Sequence, residues 1–272
     1  MRKKLAWLLV GAMVLGTSLF GGCGKKVTAQ SLVEEMNTKM KSVKSYEMSM
    51  DMDMSMNVEA QGIGMDLDLG MEGITEVVME PMITHMDMTM EMSLLDLSMD
   101  MDMYMQVDGD QATTYMGLAG EWMKTTQPFT EELAMNDISF NVGDPEKLVL
   151  SDKTEMLDGG EAYVITGMVS GKELQSILAS AESMMEGLGE VDLTGLQADM
   201  TLKIYKDTGY PASMEVIMSG EGLSTETDGT VVSITNLTVV TDYIGFDSID
   251  SIEIPAEALA APEVDANGMS VE

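Results

Sequence analysis

YEMSMDMDMSMNVEA, residues 46–60, alternates methionine and polar residues, and this alternation decides the fold class. Every even position from Met48 to Val58 is apolar, whereas the odd positions from Glu47 to Asn57 are polar or acidic. Side chains of a β-strand point alternately to its two faces, so the pattern predicts a long strand with one apolar and one acidic face.

Three further segments repeat this alternation: Ile63–Met71, Met82–Met92 and Leu95–Val107. Consecutive long strands of this kind pair antiparallel, and Asp108 and Gly109 provide a hairpin turn after the last of them. Shorter strand patterns follow at residues 111–117, 162–169, 199–206, 212–219 and 230–243. No regular alternation of strands and helices is present, which argues against a parallel sheet. The sequence therefore predicts a mainly β (α+β) protein whose curved antiparallel sheet has a methionine-lined face.

Two segments have the apolar stripe of an amphipathic helix. The first is Ser31–Val43, where Ser31 and Glu34 have the spacing of a capping box. The second is Lys172–Leu188, which is opened by a capping box of the same spacing, Ser170 with Glu173. We expect both helices to pack on the sheet.

The N-terminus has the pattern of a secretory signal. Basic residues precede the apolar run Leu5–Phe20, which is too short to span a membrane comfortably, and small residues lead to Cys23. This segment resembles the lipobox of bacterial lipoproteins, in which the cysteine receives a diacylglycerol. The resemblance implies a signal peptide at 1–22, lipidation at Cys23, a lipidated tether at 23–30 and an extracytoplasmic protein anchored to the cell membrane.

Composition limits the remaining possibilities. Cys23 is the only cysteine, so a hydrophobic core must stabilise the fold without disulfides. The formal net charge of −33 argues against binding to nucleic acid or to an anionic bilayer surface. We expect one domain over residues 31–254, followed by a disordered tail at 255–272 that is rich in alanine, proline and acids.

The order of elements resembles the half-barrel of bacterial lipoproteins of the LolA/LppX type. The similarity rests on the helix that leads through Val43 and Tyr46 into a long strand, on the hairpin 104–115, on residues 120–124 and on residues 203–211. In that family an incomplete antiparallel barrel encloses acyl chains with its concave face, and helices cover the opening. The resemblance implies a lipid or another apolar molecule as ligand.

The methionine face is the candidate ligand-binding site, because flexible and polarizable side chains can repack around acyl chains. The alternative is a surface interaction or structural protein in which the same side chains simply fill the core. The residues that we expect to line the cavity are Met50, Met52, Met54, Met65, Leu67, Met88, Met90, Met101 and Met103, with Leu178 and Met185 from the second helix as part of a lid.

Other chemistries have weaker support. Thioethers are soft ligands for Cu(I), but the alternation continues into Leu67 and Leu97, which cannot bind a metal ion. His85 is the only histidine and falls among the acids, where we expect a charge partner, and the pattern offers no nucleophile for a triad. We therefore expect no enzyme activity, no cofactor and no resident metal.

The acidic face needs an explanation, because like charges directly opposite each other destabilise a sheet. One hypothesis is that divalent cations bridge it, and the other is that its charge prevents edge pairing and aggregation. The acids concerned are Asp51, Asp53, Asp66, Asp68, Asp87, Glu91, Asp100 and Asp102.

Overall fold

The computed structural model of the protein contains, within the residues that it describes, one antiparallel sheet of 13 strands. The structure describes residues 27–60, 63–93, 97–129, 147–170, 197–219, 223–227 and 230–264. The elements are α1 Ala29–Met40, β1 Ser45–Ala60, β2 Ile63–Met79, β3 Met82–Met92, β4 Leu97–Asp108, β5 Gln111–Leu118, β6 Glu121–Pro128, β7 Val149–Leu150, β8 Glu155–Leu157, β9 Gly160–Ser170, β10 Gln197–Tyr205, β11 Pro211–Ser219, β12 Leu223–Thr227, β13 Thr230–Phe246 and α2 Ala256–Leu259.

The first six strands form a meander, and the other half of the sheet is joined to it through the last strand. The order is β6-β5-β4-β3-β2-β1-β13-β11-β10-β9-β7, while β12 pairs with β13 and β8 with β9. β1 and β13 pair from Tyr46 opposite Phe246 to Ala60 opposite Thr230, so the first and last strands lie at the centre. Among the described residues, the path ends at β6 and β7 and does not close on itself. The predicted antiparallel half-barrel is therefore confirmed.

β2 is longer than the alternation predicts, because the pattern of apolar side chains is interrupted at Gly73. The strand continues to Met79, and Gly73 lies opposite Met88 of β3. A Cβ atom added at Gly73 would lie 2.5 Å from the carbonyl oxygen of Asp87. Only glycine fits here. The apolar alternation is therefore interrupted at Gly73 although the strand continues through it.

Helix α1 begins two residues before the predicted start. Its N-cap is Thr28, whose Oγ1 accepts from the Ser31 backbone N–H at 3.1 Å, while the Ser31 hydroxyl oxygen accepts from the Thr28 N–H at 3.0 Å. Ser31 is thus the third residue of the helix and not its N-cap, so the predicted capping box of Ser31 with Glu34 is wrong, and Glu34 accepts instead from Gln30. At the other end, Lys39 donates to the carbonyl oxygen of Thr208 in the turn after β10.

Residues 247–264, which we name the C-terminal strap, lie across the convex face and the edge of the sheet. The strap pairs with β6, since the Lys124 N–H donates to Pro262 O at 3.0 Å and the Val264 N–H donates to Lys124 O at 2.9 Å. Ala258 is fully buried. A disordered tail is expected from residue 255, whereas residues 255–264 are packed because small alanines fit against aromatic rings. Residues 265–272 lie outside the described ranges.

Three other expectations also lie outside the described residues. These are the signal peptide with Cys23, the tether as far as residue 26, and the second helix with Leu178 and Met185.

Candidate ligand-binding site

The concave face of the sheet places methionines side by side on neighbouring strands. Alternation along each strand puts that strand's methionines on one face. The register between neighbouring strands then places methionines of adjacent strands directly opposite each other. In the central row, Met52 lies opposite Met71, and Met71 lies opposite Met90. The adjoining rows pair Met88 with Met101, and Met86 with Met103, Met116 and Met123 in succession.

Exposure across this face is graded. Met52, Met54, Met56 and Met88 are each 3% exposed and form a buried floor. α1 packs on the same core with Met36 and Met40, both buried. Towards β3 and β4, Met90 and Met103 are only half-buried. The face therefore has a closed centre and a partly accessible side.

The structure brings together most of the predicted lining residues in one hydrophobic cluster. The buried members are Met52, Met54, Met88 and Met101, and the half-buried members are Met50, Leu67, Met90 and Met103. Met65 is not part of this group, because it lies near the end of the β1–β2 hairpin opposite Val58 and is 48% exposed.

Residues from two elements that contribute to the face, α1 and β13, are missing from the predicted set. Met36 and Met40 of α1 belong to the helical stripe in the sequence, but the stripe does not show which part of the sheet it covers. Leu237 and Val239 of β13 lie opposite Met54 and Met52. Their strand pattern is visible in the sequence, whereas the pairing with β1 is not.

The convex face of the same strands is acidic and hydrated. A hollow of about 520 Å³ on it is lined in part by Asp53, Asp68 and Glu91. A second hollow of about 510 Å³ is lined in part by Asp51 and Glu72. Carboxylate walls do not suit an apolar ligand, so we assign neither hollow to the predicted lipid.

Hydrogen-bond donors reduce the repulsion among these acids. Serine, asparagine and threonine stand directly opposite three of them, as in Ser55, which donates to Asp68 at 2.8 Å. The other two pairs are Asn57 with Asp66 at 2.8 Å and Thr89 with Asp100 at 3.0 Å. Cross-strand donors therefore stabilise this part of the acidic face.

His85 joins two acids on the convex face, as its place in the sequence predicts. Its Nδ1 lies 2.9 Å from Glu76 and its Nε2 lies 2.9 Å from Asp102. Only the protonated ring donates from both nitrogens, so both contacts are favourable in the imidazolium form. The ring also stacks on Tyr104 at a centroid distance of 4.4 Å. Burial, followed by the charges of Asp102 and Glu76, raises the pKa of Tyr104.

The strap covers the aromatic side chains next to this histidine. Tyr104 and Tyr115 are buried with Ala258, and Trp122, Ile252 and Ile254 pack against them. Trp122 lies over Gly117, where an added Cβ would be 2.9 Å from the indole ring. The convex face is thus acidic over β1–β3 and aromatic beneath the strap.

Among the described residues, no helix has both the length and the apolar character needed to cross a membrane. Within the same ranges, no group of three or more histidine, cysteine, aspartate or glutamate side chains is placed to hold a metal ion.

Comparisons with known proteins give structural similarity at low sequence identity. LprF from Mycobacterium bovis matches 85% of this chain and 97% of its own, with 12% identity and a TM-score of 0.45. A DUF1329 family protein from Desulfovibrio piger has 11% identity, coverage of 82% and 93%, and a TM-score of 0.27. The LolA superfamily protein NE2245 from Nitrosomonas europaea has 12% identity, coverage of 83% and 96%, and a TM-score of 0.21.

No curated protein sequence matches the chain. One family model does match, over residues 28–263, a range that includes every helix and strand that the structure describes. The protein therefore belongs to DUF6612, a family of unknown function.

Proposed function

We propose that this protein is an extracytoplasmic lipoprotein that binds a lipid or a similar apolar molecule on its concave methionine face. The observation that carries the proposal is the graded exposure of that face, from a buried floor at Met52 to half-buried walls at Met90 and Met103. Thioether side chains have three rotatable bonds and adapt to acyl chains of different shape. The resemblance to lipid-binding half-barrels supports the same class of ligand.

Lipidation at Cys23 would hold this site near its source of ligand. Five residues separate Cys23 from Ala29, the first residue of α1, and the six steps of an extended chain between them reach about 20 Å. The helix that packs on the concave face would therefore remain close to the bilayer. Replacing Cys23 with alanine should release the protein from the membrane fraction, and retention of that variant in the membrane would contradict the anchor.

Ligand binding is tested by placing carboxylates on the half-buried wall. The double variant Met90→Glu/Met103→Glu should weaken binding of a fluorescent fatty acid by at least about tenfold, since its walls would then carry charge. The matched control is Ser98→Glu/Gln106→Glu, which adds two carboxylates to the opposite face of β4 and should bind like the unmodified protein. Equal binding by both folded variants would contradict the proposed site.

A second candidate function is that of an interaction or structural lipoprotein with a filled core. The complete burial of Met36 against the buried floor favours it. Native mass spectrometry of protein purified without detergent separates the two functions. Co-purified lipid supports the binding protein, whereas an apo mass that does not change on incubation with fatty acid supports the filled core.

A further inference from the structure

Two rows of the concave face consist of methionine on four successive strands. The central row is Met52, Met71, Met90 and Met99 on β1–β4, and the other row lies on β3–β6 and reaches the edge strand of the meander. Met86 of β3 lies opposite Met103 of β4, which lies opposite Met116 of β5, which lies opposite Met123 of β6. We name these four residues the thioether ladder. Met86 is 7% exposed, Met103 and Met116 are half-buried, and Met123 is 36% exposed. The ladder thus leads from the core to the outermost strand of the meander.

Two buried methionines of β1 have only hydrocarbon neighbours on the adjacent strands. Met54 stands between Leu69 and Leu237, and Met56 is flanked by Leu67 and Ile234. Leucine and isoleucine fill apolar volume as well as methionine does, so packing alone does not require sulfur on every strand. The objection that leucine interrupts the methionine pattern therefore does not apply to the ladder.

The strand register places neighbouring members of the ladder close enough for their flexible side chains to reach one ion. Residues directly opposite each other on antiparallel strands have Cβ atoms about 4.5–5.5 Å apart, and each methionine adds a flexible arm that ends in a thioether. Neutral thioethers are soft ligands, which among biological metals favour Cu(I) over hard cations such as Ca²⁺ or Mg²⁺.

We propose that Met103, Met116 and Met123 bind a soft monovalent ion, Cu(I), at the open end of the ladder. Met123 provides access from solvent, and Met116 and Met103 supply a half-buried environment from which water is partly excluded. The ion enters and leaves as Cu(I), so no redox step is involved. The strongly negative chain attracts a cation, whereas the neutral ligands provide the selectivity.

The test compares two double substitutions that each replace two sulfurs with isosteric hydrocarbon. Met103→Leu/Met116→Leu removes the centre of the ladder, and Met54→Leu/Met56→Leu removes two thioethers that have no sulfur directly opposite. Affinity is measured by competition with a colorimetric Cu(I) chelator under ascorbate, and stoichiometry by native mass spectrometry. Thermal unfolding checks that each variant folds.

The unmodified protein should bind one Cu(I). The Met103→Leu/Met116→Leu variant should bind it at least about tenfold more weakly, because removing even a residue that only supports a metal ligand typically lowers metal affinity by about tenfold or more. The Met54/Met56 variant should bind within about twofold of the unmodified protein. Absence of binding by the unmodified protein would overturn the proposal, as would equal losses in the two variants, which would indicate non-specific thioether binding. Fatty-acid binding is measured separately, so either site can fail without the other.

Discussion

The two faces of β1 to β4 are made by the same strands and have opposite properties. Residues one position apart, such as Met52 and Asp53, lie in a buried floor and on a hydrated surface respectively. On the concave side neighbours share a nonpolar surface, whereas on the convex side each acid needs a donor or solvent. The difference shows that one alternating sequence can specify both a core and a surface.

The largest expected effect comes from placing the same residue on each face. Met52→Lys should lower the free energy of unfolding by about 4 kcal/mol or more, because it buries a charge without a partner. Asp53→Lys should change it by no more than about 0.5 kcal/mol, since that position is exposed. Urea unfolding measures the free energy of unfolding of both variants. Similar losses of stability in the two would show that the faces are not distinct.

A second substitution tests how tightly the concave face is packed. Gly73→Ala should destabilise by about 2–3 kcal/mol, because its Cβ would meet both the Asp87 carbonyl and the Met88 side chain. Gly64→Ala on the same strand is the control, since its nearest neighbour would be 3.7 Å away. If urea unfolding shows no difference between the two variants, the packing at Gly73 is looser than described.

The contact of the strap with the convex face is tested at Ala258. Ala258→Asp should cost about 1–2 kcal/mol by placing a carboxylate against Tyr104 and Tyr115. Trp122 should then become more exposed, and its fluorescence should shift to longer wavelength. Leu259→Asp is the control, because Leu259 is 50% exposed. An unshifted spectrum in the Ala258 variant would show that the strap does not protect this indole.

The smallest expected effect concerns the charge balance of the convex face. His85→Gln should destabilise by about 1 kcal/mol, because a glutamine side chain cannot contact Glu76 and Asp102 from the two ends of a ring stacked on Tyr104. The loss should shrink in high salt, which screens the two carboxylates. In a Glu76→Gln/Asp102→Asn background, His85→Gln should have little effect on the free energy of unfolding. If the loss of stability were as large there as in the unmodified protein, the charges of Glu76 and Asp102 would have no role in it.

Local patterns in the sequence predict the strands well, because period-two alternation is a property of each segment by itself. Met82–Met92 is predicted with the bounds of β3, and the methionines share one face as expected. The pairing of β1 with β13 is not predictable in this way, since it joins segments far apart in the chain. Likewise, nothing in the alanines of the strap indicates the aromatic side chains that they cover.

The candidate site was predictable in composition but only partly in extent. Alternation identifies Met52, Met88 and Met101 as members of one face, while exposure depends on the elements that cover them. Met65 has the right parity but lies near the hairpin end, beyond the cluster. Sequence parity therefore assigns a side chain to a face, and tertiary structure determines whether that part of the face is enclosed.

The central position of β1 and β13 also constrains when the molecule can fold. The pairing of β1 with β13 closes a loop of well over a hundred residues. Contacts so distant in sequence slow the folding of a domain. An emerging chain can assemble the meander early, but β1 remains an unprotected edge until residue 246 is available. Completion of the sheet therefore requires residues 230–246, and a product truncated before them would expose the edge of β1 to pairing with other chains.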